Sequence, residues 1–458
     1  MESNLNKKYG LITAIAMVVG IVIGSGVFFK AEKVLTATGG NLTLGILAWL
    51  IGGAIMVVCA YTFSIMATRY EYVNGIVDYA EVALGKKYGY YIGWFMSTIY
   101  YPTLTAALAW VSARYTCVLL DFSIVGPEAL AITGFYLVTS YAVNALSPVL
   151  AGKFQVTSTT IKLIPLFIMA VIGTIVGLST GMTVANFTTV TKQVSTGGAL
   201  FTAVVATAFA YEGWIIATSI NAELKDSKKN LPKALVIGTL IVVITYILYY
   251  IGLSGAVSNV ALMESGEKGA RIAFEKVFSK VGGTALFVFV VISCLGTLNG
   301  LMLGCTRGIY ALAARDMGPA PNVYKQVDKA TNMPTNSAIL GLLFCGIWLL
   351  YFYGSQLTES WFGFFNFDMT ELPIVTIYAA YIPIFIMLIK NEKDLGVFKR
   401  FVAPILAICG CLFMIIAACF SHKMAVVWYL ITFAVIMLIG VFFDKSKSAS
   451  QSFISKDL

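Results

Sequence analysis

From residue 10 to residue 443 this chain is a succession of apolar runs of bilayer length, separated by short polar stretches. A helix rises about 1.5 Å per residue, so crossing about 30 Å of hydrocarbon takes roughly 20 mostly apolar residues. Twelve segments meet that length: 10–35, 42–67, 88–119, 127–147, 154–179, 197–221, 233–257, 282–313, 335–354, 360–389, 398–420 and 424–443. Those at 88–119, 282–313 and 360–389 are longer than the bilayer needs and are expected to tilt or to extend beyond it. The expected fold is an all-α integral membrane protein with twelve transmembrane helices in one domain.

Composition supports a lipid solvent. Hydrophobic residues make up 59% and charged residues 12%, where a soluble domain carries roughly 25% charge. The mean hydropathy is +0.85. A net charge of +9 would suit nucleic acid only if the basic residues clustered on a folded face. Here they lie in short tracts between the apolar runs, which is the membrane pattern. With the N-terminus inside, 20 of the 31 Lys and Arg residues fall on cytoplasmic loops and eight outside, among them Lys30, Lys33, Arg271 and Lys423. Both termini are therefore expected in the cytoplasm. Arg114, Lys162 and Arg307 fall within spans. The start, with Lys7 and Lys8 before an apolar run, imitates a signal peptide, but the run is too long and no small-residue cleavage site follows it.

The remaining chemistry-bearing residues exclude much. The eight cysteines are scattered through apolar segments with no CxxC spacing, and His422 is the only histidine. That leaves no zinc-type metal site, no Ser-His-Asp triad and no HExxH motif, so neither a cofactor nor an enzyme activity is expected. The cysteines read as small buried hydrophobes. Segments 70–90 and 259–280 have helical spacing and read as short amphipathic helices at the membrane faces.

Two spans carry interruptions. The first contains Val22-Ile23-Gly24-Ser25-Gly26 in mid-run, and glycine leaves helical geometry at no steric cost. Alone, this stretch reads equally as a tight helix–helix contact, because small residues four apart, such as Gly20 and Gly24, favour close packing. The sixth span, however, contains Phe209-Ala210-Tyr211-Glu212-Gly213-Trp214, with a glycine and a carboxylate at mid-depth. Interrupted helices at matching positions of two halves point to a transporter site, since irregular backbone survives in a membrane only where it lines a cavity. A break in the first span exposes amides from Ser25 to Phe28, where the helix dipole favours an anion, and frees carbonyls near Ile21 and Val22 for an ammonium. Those are the two ends of an α-amino acid. Phe209 is placed to close over it. No residue-level repeat links the halves.

Gly24-Ser25-Gly26-Val27-Phe28 resembles the first-helix motif of the L-amino acid transporter family, within the amino acid–polyamine–organocation superfamily. Phe209 to Trp214 resembles its sixth-helix gating motif. Glu223-Leu224-Lys225-Asp226-Ser227-Lys228-Lys229-Asn230-Leu231-Pro232-Lys233-Ala234 is similar to the family's loop after that helix. Gly296-Thr297-Leu298-Asn299-Gly300, continuing to Arg307, Tyr310, Ala311, Arg315 and Pro319, also fits. Within the family the likeness is to bacterial exchangers of small neutral amino acids, of the alanine–serine–cysteine type.

The resemblance implies a five-plus-five inverted repeat, with 10–179 and 197–389 as the repeats and 398–443 as two further helices. It implies sodium-independent antiport of alanine, serine or cysteine in the cell membrane by alternating access, proton-coupled symport being the alternative. It implies that Lys162 stands where sodium-coupled relatives hold a cation, tying first-helix carbonyls to Ser293 or Thr297 of the eighth span; snorkelling to the cytoplasmic face is the bland reading. Three roles are open to Glu212: pairing with a substrate amine, carrying a proton, or capping the sixth-span break. Arg307 reads as a structural contact, Arg114 as snorkelling outward, and Tyr100 and Tyr101 either reach the cavity or pack. Three departures stand out. Tyr70-Glu71-Tyr72-Val73-Asn74-Gly75 replaces the family's Pro-Lys-x-Gly-Gly. The loop 120–128 lacks the cysteine by which animal members bond a heavy subunit, so no covalent partner is expected. Glu212 replaces a small residue of animal members, which suggests smaller cargo.

Overall fold

A computed structural model describes residues 10–70, 75–356 and 360–444. Every regular element among them is helical. Eleven helices are long and apolar enough to cross a membrane, and a bent pair, Leu11–Val22 and Gly26–Ala37, supplies the first span. This is a multi-span membrane protein. Many large apolar side chains, from Phe135 and Leu146 to Leu438 and Phe442, are exposed, as a lipid-facing surface requires.

The span ends follow local chemistry. Asn41 starts the second span, Leu42–Arg69, by accepting the Leu44 amide at 3.0 Å. Pro127 and Pro148 open the fourth and fifth at a helical position that needs no donor. Segment 70–90 resolves into Ile76–Leu84 and a third span from Lys86 to Leu120, divided at Gly85, whose φ of +87° suits glycine. Of the family-departure motif, residues 71–74 lie outside the described residues. The third span widens into a π turn at Met96–Tyr100 just before Pro102, and the fifth does so at Met169–Gly173 after Pro165. In both, the prolines remove helical donors.

The segment before the eighth span is helical as expected: Asn259–Ser265 is one helix, and the stretch from Gly269 is divided from the span by non-helical backbone at Phe278 and Ser279. Two expectations need correction. The tenth span begins at Leu372, not 360. Its excess length is not helix: Trp361 to Phe367, apolar except for Gly363 and Asn366, run as turn and coil ahead of it. Asp368 then turns the chain into the helix by accepting the Thr370 and Glu371 amides at 2.6 and 3.0 Å. Finally, Cys409 and Cys419 are exposed, whereas the other six cysteines are buried.

The core forms around the first span. Leu11–Val22 packs on the seventh span, Ser227–Ala256, which also lies along the second; Gly26–Ala37 packs on Thr196–Ala210 of the sixth. The eighth span packs against the third, the fifth and the ninth, Thr335–Gln356. The last span, Met424–Phe442, buries only Tyr429 and Gly440. Trp94 and Tyr90 fasten it by donating to the carbonyls of Ile436 (2.9 Å) and Gly440 (2.7 Å).

Candidate functional site

The first span breaks at Ile23-Gly24-Ser25, and its halves are bent by 48°. Ile23 is extended, with ψ 106°, so the helical ladder stops there and the carbonyls before it lose their partners. Buried carbonyls need donors, and the fold supplies them from three other spans. Lys162 of the fifth span, fully buried, donates to Gly20 O at 2.5 Å and Ile23 O at 2.7 Å, with Thr297 Oγ1 at 3.5 Å. Ser293 and Thr297 of the eighth donate to Gly24 O (3.3 Å) and Ile23 O (3.4 Å). The Tyr246 hydroxyl of the seventh shares its one proton between Val22 O at 3.1 Å and Ala210 O at 3.0 Å, joining both broken spans. Lys162 is held within the fold and does not snorkel.

The sixth-span helix ends at Ala210, and the chain resumes as a 3₁₀ stretch, Trp214–Glu223. Gly213 makes that turn with φ +103°, a conformation that L side chains rarely adopt. The two breaks are adjacent: a Cβ added to Gly213 would meet Ile21 Cγ2 at 3.1 Å and Ile21 O at 3.4 Å. The close-packing reading of the glycines also holds. Added Cβ atoms on Gly20, Gly24 and Gly26 would meet Thr159 Cγ2 at 2.5 Å, Thr297 Oγ1 at 2.6 Å and Ala210 Cα at 2.4 Å. The space at Gly24 and Gly26 is therefore taken by neighbouring helices.

Glu212 is buried, and its Oε1 accepts from the Tyr100 hydroxyl of the third span. Its Oε2 has no hydrogen-bond partner among the described residues, nor has the hydroxyl of Tyr381, a tenth-span residue close enough to feel the carboxylate. Phe209 is buried, edge-to-face with Phe29 at 6.1 Å. Ser25 is buried beside the Cys294 thiol. Val22, Ile23, Gly24, Ser25, Gly26, Phe209, Glu212, Gly213, Lys162, Ser293 and Thr297 thus converge on one region.

Other residues fall differently. Tyr101 packs over Gly304 of the eighth span. Arg307 is exposed, and Arg114 lies 6.0 Å from the Trp110 ring. Tyr246 has no signal in the sequence beyond being one tyrosine in an apolar run. Lys30, assigned to an outer loop, is instead fully buried in the second half of the first span. The signal for it was there, since the apolar run 10–35 encloses it.

Two adjacent discontinuous helices, cross-linked by buried donors inside a twelve-span helical body, are the architecture of a membrane transporter. The chain belongs to the amino acid permease family, whose model matches residues 9–442. It is similar to the serine/threonine exchanger SteT of Bacillus subtilis (strain 168), with 29% identity covering 90% of this chain and 91% of that protein. It is also similar to the b(0,+)-type amino acid transporter 1 of Mus musculus, at 26% identity covering 96% and 88%. A further relative is the large neutral amino acids transporter small subunit 2 of Homo sapiens, at 27% identity covering 72% and 62%. The protein is an amino acid transporter and not an enzyme.

Proposed function

We propose that this permease is a sodium-independent exchanger of small neutral L-amino acids such as alanine, serine and cysteine, working by alternating access in the cell membrane with both termini cytoplasmic. The observation that carries this reading is the Lys162 ammonium, seated on the Gly20 and Ile23 carbonyls beside Thr297. A covalent cation there supplies, at every stage of the cycle, the charge that a dissociable ion would bring and take away. The naming of one relative as a serine/threonine exchanger supports exchange and small polar cargo.

The substrate carboxylate is assigned to the amides that open the second half-helix at Gly26, Val27 and Phe28, which have no partner within the helix. Because Gly20, Val22, Ile23 and Gly24 already have donors on their carbonyls, the substrate ammonium is assigned to Ile21 O and Glu212. Phe209 is the lid. Residues 10–179 and 197–389 form the two inverted repeats, a reading supported by the packing of the first span on the sixth, the second on the seventh and the third on the eighth. Residues 398–443 lie outside the repeats. No covalent heavy subunit is assigned, since the loop 120–128 has no cysteine and Cys117 is buried.

One observation favours proton-coupled symport as the second reading. Glu212 Oε2 is buried without a partner among the described residues, as a carboxyl that carries a proton would be. Uptake of labelled alanine by proteoliposomes, loaded with unlabelled amino acid or empty, tests one reading against the other.

A further inference from the structure

Lys30 stands four residues past Gly26, fully buried. Its Nζ donates to Glu371 Oε1 at 2.5 Å and to Thr370 Oγ1 at 3.3 Å, both just ahead of the tenth-span helix. The other carboxylate oxygen of Glu371 is 2.9 Å from Nε2 of His422, which ends the eleventh-span helix. The same ammonium lies 5.4 Å from the centre of the Phe209 ring and 5.3 Å from that of Phe29. One side chain therefore touches the lid, the ring beside the lid, and a carboxylate fixed by two further spans.

A buried ion pair is a poor source of stability, because the cost of taking both charges out of water offsets most of their attraction. It is a good switch for the same reason. While dry, the pair holds firmly, since neither charge has another partner of equal strength. Once water enters, both charges are hydrated and little is lost on parting. His422 keeps its hold on Glu371 when Lys30 leaves, so Lys30 is the moving member.

We propose that the Lys30–Glu371 pair is a latch that holds Phe209 and the second half of the first span closed, and that it parts when the site opens to that face of the membrane. The proposal rests on the alternating-access reading. Cys294, buried beside Ser25 and Lys162, serves as the reporter in a protein otherwise freed of cysteine. A membrane-impermeant methanethiosulfonate is applied to each face of vesicles without amino acid. Lys30→Gln, Glu371→Gln and the double variant are each expected to raise labelling about tenfold from one face only, and Lys30→Arg to stay near the parent rate. Glu371→Gln leaves the Lys30 ammonium buried without its carboxylate, whereas in Lys30→Gln His422 still faces Glu371; where Glu371→Gln fails to insert, the double variant, which removes both members of the pair, decides the result. A double variant that labels at the parent rate from both faces overturns the latch. Labelling needs neither substrate nor exchange, so this result stands apart from that of the uptake assay.

Discussion

Lys162 joins the fifth span to the broken first span by donating to a carbonyl of the first half-helix, Gly20 O at 2.5 Å, and to one at the break, Ile23 O at 2.7 Å. Without the ammonium, two buried carbonyls lose a charged donor, each at a cost of about 1–3 kcal/mol. Lys162→Ala is expected to insert but to lose most exchange, and sodium is not expected to restore it. Counterflow in proteoliposomes, with and without sodium, checks both points. Near-normal turnover rejects the role given to this lysine.

Glu212→Gln keeps an acceptor for the Tyr100 hydroxyl but can neither carry a charge nor release a proton. If the carboxylate binds the substrate ammonium, KM rises while the pH profile of uptake keeps its shape. If it carries a proton, the profile flattens instead. Glu212→Ala leaves Tyr100 without that partner and is expected to lower the melting temperature in detergent, by a loss of about 1–3 kcal/mol.

Gly26→Ala sets a methyl group 2.4 Å from a backbone atom, Ala210 Cα, while the nearest atoms to Gly24→Ala are side-chain atoms of Thr297, the first at 2.6 Å. Exchange is expected to fall further in Gly26→Ala than in Gly24→Ala. Gly134→Ala, with nothing within 4 Å, is the silent control. Equal activity in all three variants contradicts the packing described here.

Tyr246→Phe removes one hydroxyl that serves both breaks, through Val22 O and Ala210 O. One hydrogen bond, shared between the two carbonyls and worth about 0.5–1.5 kcal/mol net, is lost. The expected outcome is a lower melting temperature together with slower exchange, since the two half-helices are no longer tied. A stability loss without any change in rate would mean that Tyr246 serves packing alone.

How far these features could be read in the sequence depends on how local their causes are. Span lengths and the breaks at Gly24 and Gly213 show directly, because apolar length and glycine act on the residues that carry them. The partners of Lys162 came through the family resemblance, since a lysine at that depth has many carbonyls to choose from. Lys30 was misplaced because a cation near the end of an apolar run looks like a loop residue until Glu371 and His422, over 340 residues later, fold onto it. The start of the tenth span was misread because Trp361, Phe362, Phe364, Phe365 and Phe367 make an apolar run. Their turn depends on Gly363, at φ +54°, and on Asp368. Tyr246 has the same composition signal as Tyr249 and Tyr250 beside it, and only its distance to the two breaks sets it apart.

Uptake of labelled alanine by proteoliposomes tests the central claim most directly. Exchange with Lys162 as a fixed cation predicts uptake only into vesicles loaded with unlabelled amino acid, with no response to sodium and little to a proton gradient. Robust uptake into empty vesicles, driven by acid outside, would contradict it.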